Sequence, residues 1–397
     1  MKLTAFSVVL ALFIAVVWTA TAAEIDAREI AQLIEQMDSD SFEVRRKAHE
    51  RLEKLGEEAL PALREAAARA ADLELHNRLD ALAQKIEQML YGERRRFEGH
   101  QGPVFYLAVS SDGKRLVSSG GDKTARVWDV NTGETVQTFT APQPLLASAF
   151  SRDGKHVLSG GGPEFTKKGS YVGMWEVASG KEVRRFGGHD KQVVAVGMGP
   201  GNSTAVSASM DGTMRKLDLD SGRLVRKLVA HEPGVRALAV SPNGKWALSC
   251  GHLDEPVRLW DLESSKEVMT FKKHTVAAMA AAFSSDGKRL LLADTDASVH
   301  LWDMDTGKEL LQLSGHYGLI YTVAFTADGR RALTGGQDRT VRLWDLKTGK
   351  ELHVYRGHTG LVTSVCALPD GGMVSTGLDS TIRLWNVPPW KPSGTDK

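Results

Sequence analysis

Residues 315–358 read GHYGLIYTVAFTADGRRALTGGQDRTVRLWDLKTGKELHVYRGH. The run IYTVAF alternates large apolar residues with others, as a half-buried strand does, and TADGR after it is a turn. RALTG is a second strand, and a tight turn around Asp338 leads into a third, TVRLWD. KTGK then turns the chain into a fourth strand, ELHVY, before the next Gly-His pair at 357–358. Alternating β-branched and aromatic residues broken by Asp-Gly and Thr-Gly turns are hairpin chemistry.

The unit recurs in both directions. Strands ending in Trp-Asp or a variant of it are ARVWD at Asp129, VGMWE at Glu176, MRKLD at Asp218, VRLWD at Asp261, VHLWD at Asp303, VRLWD at Asp345 and IRLWN at Asn386. The Trp, or the Leu217 that replaces it, falls at 128, 175, 217, 260, 302, 344 and 385, at intervals of 47, 42, 43, 42, 42 and 41. A period near 42 is one four-stranded blade per unit, so seven units predict a seven-bladed β-propeller. Over residues 91–390 the Gly-His and Trp-Asp markers resemble the WD-repeat family, and this resemblance implies a binding scaffold with no catalytic residues, cofactor or metal.

The ends of the array predict how it closes. The last unit stops at IRLWNVPPW without a fourth strand, whereas ERRRF (93–97) precedes the first Gly-His and matches EVRRF (182–186) and ELHVY (351–355). The N-terminal segment is expected to complete the last blade, which removes two exposed sheet edges.

Within the units, His, Ser or Thr, Asp and Trp recur at fixed spacing. Full sets are His100, Ser118, Asp122 and Trp128; His316, Thr334, Asp338 and Trp344; and His358, Ser375, Asp379 and Trp385. Read alone, each has the ingredients of a hydrolytic triad. Repetition argues instead for internal hydrogen-bond networks, and the family resemblance implies that Trp donates to the hydroxyl, the hydroxyl bonds His, and His bonds Asp. Unit three keeps His189, Ser207 and Asp211. Unit four has His231, Asp254 and Trp260, with Ser249 counted one residue out of register and Cys250 in register. Unit five has His274, Asp296 and Trp302 but Leu292 at the hydroxyl position. Unit two keeps Ser159 and Trp175 and lacks the His and Asp. Loss of members suits stabilising networks better than chemistry.

The resemblance implies that partners meet the face made by the fourth-to-first and second-to-third strand connections. Five residues after each His, this face is expected to present Phe105, Val194, Arg236, Met279, Tyr321 and Thr363, with Leu146 as the equivalent in unit two. Leu319, Leu361 and Leu378 extend it, and an exposed apolar patch marks an interaction site. Unit two has six extra residues between Ser159 and Trp175, relative to Ser118 and Trp128. They add Phe165, Lys167, Lys168 and Tyr171 in a loop on the same face.

Residues 24–90 change period. Ile30, Leu33, Ile34 and Met37, then Val44, Ala48, Leu52 and Leu55, sit at helical spacing, with Asp40 and Glu43 opening the second helix and Gly56 closing it. Pro61 starts a third helix carrying Leu60, Leu63, Ala67 and Ala70. Asp72 caps a fourth with Leu75, Leu79, Leu82, Ile86 and Met89 on one face. FEVRRKAHERLEKLGEEALPALREA is similar to HEAT-type helical repeats.

Composition bounds the rest. With 50 Lys and Arg against 49 Asp and Glu, the net charge of +1 offers no global field for nucleic acid. Met1-Lys2, an apolar run to Trp18 and small residues to Ala23 read as a secretory signal peptide over 1–23. That predicts a secreted or periplasmic protein, the alternative being an uncleaved membrane anchor with the chain facing outside the cytoplasm. Cys250 and Cys366 are expected to be buried thiols without a bridge. No GxxxxGK[ST] or GxSxG occurs, and His49-Glu50 lacks its second zinc-ligand His because residue 53 is Glu. A disordered tail over 391–397 and a monomeric propeller that binds a protein partner complete the expectation, the alternative being an extracytoplasmic enzyme or ligand sensor that uses the central channel.

Overall fold

A computed structural model describes residues 27–163, 170–199, 201–252, 256–271, 277–388 and 390. The leader, the loop residues Phe165, Lys167 and Lys168, the network positions Asp254 and His274, and the tail 391–397 lie outside them. The chain divides into two units at Gly92/Glu93.

The first unit is four helices: α1 (27–36), α2 (Phe42–Leu55), α3 (Leu60–Arg69) and α4 (Leu73–Tyr91). Its core joins Ile30, Met37, Ala48, Leu52, Leu63, Ala67, Leu79, Leu82 and Ile86, largely the apolar stripes of the sequence. Met89, expected on that stripe, is 45% exposed. Asp72 caps α4 by accepting from the Leu75 N–H at 2.9 Å. Gly56 ends α2 at φ 61°. Arg64 on α3 reaches Asp80 and Glu87 on α4 at 2.6 and 2.7 Å.

The second unit is a seven-bladed β-propeller, each blade a four-stranded antiparallel sheet. Blade six is Ile320–Phe325, Arg331–Gly336, Val341–Asp345 and Glu351–Tyr355 in that order. Blade seven takes Val362–Ala367, Met373–Gly377 and Ile382–Trp385 from the end of the chain and Glu93–Phe97 as its fourth strand. Phe97 pairs with Ile382, Arg96 with Arg383, and Arg95 with Leu384. Arg383 also reaches Glu93 at 2.7 Å. Both ends of the array are thereby hydrogen-bonded to each other, as expected.

Cores lie between blades. Phe97, Val374, Ile382 and Leu384 of blade seven pack with Leu107, Leu116 and Trp128 of blade one, with Phe97 edge-on to Trp128 at 5.9 Å. The same arrangement repeats around the ring, as where Phe139 of blade one stacks on Trp175 of blade two at 5.4 Å. The first-to-second strand turns carry a common lock. In blade six the Thr326 hydroxyl donates to Asp328 at 2.5 Å, and Gly329 takes φ 66°.

Gly315 is fixed by packing against its own Trp. A Cβ there would lie 3.0 Å from Trp344 Cη2, and one on Gly357 would lie 3.1 Å from Trp385 Cη2. The Gly-His and Trp-Asp markers recur together because they touch.

Candidate functional site

The repeated polar residues are engaged with one another. In blade one, His100 Nδ1 is 2.9 Å from Asp122 and Nε2 is 2.7 Å from the Ser118 hydroxyl, which accepts from Trp128 Nε1 at 2.8 Å. Blade six repeats this with His316–Asp338 at 2.9 Å, His316–Thr334 at 2.7 Å and Trp344–Thr334 at 2.8 Å. Blade seven has His358–Asp379 at 2.9 Å, His358–Ser375 at 2.8 Å and Trp385–Ser375 at 2.8 Å. One proton assignment satisfies all three links: the hydroxyl donates to a neutral imidazole, whose Nδ1–H donates to the carboxylate. Each Asp also accepts a backbone N–H from the residue after the His, as from Gln101 at 3.0 Å and Thr359 at 2.9 Å. The network therefore straps two connections and a strand together.

Charge follows the geometry. Burial alone would raise the Asp338 carboxyl, but hydrogen bonds from His316 and Thr340 outweigh it and hold the carboxyl well below the ordinary carboxylate value. Asp379 and Asp211 are held low in the same way by His358 with Thr381 and by His189 with Thr213. Burial lowers His100 despite the neighbouring Asp122.

The incomplete blades separate into types. Blade three keeps His189–Asp211 and His189–Ser207 at 2.9 Å each, with Leu217 buried where the Trp would be. In blade two Ser159 bonds Ser148 at 2.9 Å, and Trp175 Nε1 has no partner among the described residues. Blade four corrects the register read from sequence. Ser249, not Cys250, bonds His231 at 2.7 Å and accepts from Trp260 at 2.9 Å. Ser249 pairs with Arg258 just as Ser118 pairs with Arg126; one extra residue before Trp260 displaces a count made backward from that Trp.

In blade five, Leu292 is buried at the hydroxyl position. Its Asp294, Asp296 and His300 place ligand-type atoms within 4.8 Å of one another, a cluster that sequence spacing did not single out. Those atoms are already used: Ser298 donates to Asp296 at 2.6 Å, and His300 reaches Asp294 at 3.3 Å and Glu309 at 2.7 Å.

The seven positions counted from the histidines converge elsewhere. Phe105, Leu146, Val194, Arg236, Met279, Tyr321 and Thr363 all line one cavity of about 800 Å³ within the ring of innermost strands. In every blade this residue is the one skipped where the first and second strands slip register, as between Val235 and Ala237, or Ile320 and Thr322. A β-bulge re-aims the side chain at its extra residue, and seven bulges aim seven different side chains at one channel mouth. Lys191, Gln192, Met210 and His252 on the connections complete this end. Among the described residues no Asp or Glu lines the cavity.

Beside the mouth, Leu378 is 38% exposed and its N–H bonds the Leu361 carbonyl at 2.9 Å, which sets those two connections side by side. Leu319 and Leu361 are half-buried. Tyr317, 82% exposed, was missed by sequence reading; it directly follows His316, a position whose exposure no periodicity reports. Tyr171, expected on the unit-two loop, is instead buried in the strand Tyr171–Glu176 under Arg185. The inserted residues precede it, and the third strand of the blade starts at Tyr171 itself.

Comparison with known proteins agrees with this architecture. The family model for the nucleolar protein 10-like N-terminal domain matches residues 191–389, and that for the WD domain, G-beta repeat, matches 92–129. Small ribosomal subunit protein RACK1y of Oryza sativa is 30% identical over 256 residues, covering 51% of this chain and 75% of that one. This chain belongs to the WD-repeat β-propeller family.

Other relatives of this WD-repeat protein are larger. Autophagy-related protein 16 of Arabidopsis thaliana is 26% identical over 51% of this chain and 38% of its own length. Nuclear distribution protein nudF of Aspergillus niger is 30% identical over 46% and 45%. The chain spans less than half the length of either. These relatives are eukaryotic proteins named for autophagy, nuclear distribution and the small ribosomal subunit, work inside the cell. That overturns the expected secreted or periplasmic location and the outward-facing anchor with it. The expectation rested on composition, since any apolar run between a Lys and small residues gives the same pattern. No helix among the described residues is long and apolar enough to cross a membrane.

Proposed function

We propose that this WD-repeat protein is a non-catalytic interaction scaffold that holds a protein partner at the channel mouth of its propeller. One observation carries the reading: the groups that resemble catalytic sets are occupied in networks, while the ring at the mouth carries a different side chain in every blade. Aromatic, aliphatic and cationic side chains around a concave opening are the composition of a recognition site. Burial pushes the thiol of Cys366, a cavity-lining residue, up to about 12, which disfavours the thiolate a nucleophile needs. The near-neutral chain favours a protein over a nucleic-acid partner.

A second reading has one observation in its favour. A cavity of about 800 Å³ falls in the range of small-ligand sites, which would suit a ligand sensor.

Photo-crosslinking distinguishes the two. A benzophenone side chain in place of Tyr321 is expected to capture a discrete protein in cells, and the same group in place of Leu352, on an outermost strand, is expected not to. Equal capture at both positions, or none at 321, would reject the scaffold reading.

A further inference from the structure

Six members of the channel-mouth ring are neutral and one, Arg236, is a cation. Its only hydrogen-bond partner among the described residues is the Met279 thioether, with Nε 2.9 Å from Sδ. Burial lowers its guanidinium from the ordinary value, and among the described residues no carboxylate lines the cavity to offset the charge. Lys191 adds a second cation to the wall, and His252 adds an imidazole whose Nδ1 is buried without a partner among the described residues. Buried charges are ordinarily paired, because an unpaired one bears its full desolvation cost. Among the described residues no carboxylate is placed to supply the counter-charge, and the guanidinium stands in an open cavity between Val194 and Met279 of the neighbouring blades, in a ring that also holds Phe105, Leu146 and Tyr321.

We propose that the channel mouth receives an acidic side chain, Asp or Glu, carried between apolar residues on an extended segment of a protein partner. The inference rests on the scaffold reading and specifies the partner's chemistry. The carboxylate takes the Arg236 guanidinium, which offers paired donors to two oxygens, with Lys191 adding to the positive potential. The flanking apolar residues lie on the ring aromatics and on the exposed Tyr317 and Leu378 beside the mouth. Charge complementarity selects this occupant: a wall whose described residues include cations and no acid attracts an anion and repels a basic segment.

The test uses the full chain and a set of fluorescent heptapeptides, N-acetylated and C-amidated, with a central Glu, Gln or Lys between Leu- and Phe-containing flanks. Amidation removes the chain-terminal carboxylate as a source of binding. Anisotropy titration is expected to find Glu peptides bound about 10- to 100-fold tighter than their Gln counterparts, the size of one charge-assisted hydrogen-bonded contact. Arg236→Gln is expected to abolish the preference with the melting temperature unchanged, and Arg236→Glu to transfer it to the Lys peptides. Equal binding of Glu and Gln peptides, binding of none, or a Glu preference that survives Arg236→Gln would overturn the proposal. A partner crosslinked at position 321 together with any of those results would remove the acidic ligand alone and leave the scaffold; no partner at 321 would remove the scaffold.

Discussion

Two sets of equivalent positions run around the propeller, and they differ in how they vary. At the struts, blades one, six and seven carry the same His, hydroxyl, Asp and Trp with contacts that agree to within about 0.1 Å. At the channel mouth, seven bulged positions carry seven different residues. Blades of one geometry need one solution for buried polar groups, since each left unpaired costs about 1–3 kcal/mol. A ring facing a cavity has no such common demand. The comparison teaches that, in this repeat protein, sameness between units marks what holds the fold and difference marks where recognition can reside.

The broadest test of the struts is acid. Asp211, Asp338 and Asp379 have carboxyls held low in the folded state, so the unfolded chain binds more protons as pH falls below about 4. Their contribution is present above that pH and is lost as pH drops toward their folded values. His100, lowered by burial, adds an earlier loss that begins near pH 6.5, where the unfolded imidazole protonates first. Thermal melts are expected to fall in two stages on acidification. A melting temperature flat from pH 7 to 3 would mean that the networks do not stabilise the fold.

The closing strand comes next. Phe97→Ala empties a side chain that is 2% exposed between blades seven and one, and is expected to cost about 3–5 kcal/mol in urea unfolding. A loss below about 1 kcal/mol would mean that Glu93–Phe97 does not close the ring in solution. A single strut is smaller. Asp338→Ala is expected to cost about 1–3 kcal/mol, because it strands the His316 Nδ1–H and the Tyr317 and Thr340 backbone donors.

The fold was legible because its markers are physical contacts: Gly315 against Trp344, His316 on Asp338, and Phe97 matching Tyr355 as the buried end of a fourth strand. Where the reading slipped, a local insertion was the cause. One residue before Trp260 moved the count from Ser249 to Cys250, and the unit-two insertion hid that Tyr171 begins a strand. The channel mouth was legible as positions but not as a site. Alternation along IYTVAF does not say that a bulge at Tyr321 turns its side chain into the channel. Nor does any local pattern report that Arg236 has no acid beside it among the described residues, since that acid could have come from any of seven blades.

The division between the two sets is tested most directly by measuring urea unfolding and Glu-peptide titration in parallel on Asp338→Ala and Arg236→Gln. The account predicts that each variant moves one readout: a lower unfolding midpoint with unchanged affinity for Asp338→Ala, and lost affinity with an unchanged midpoint for Arg236→Gln. If Arg236→Gln lowers the midpoint as far as Asp338→Ala does, the ring is part of the scaffold and the account is wrong.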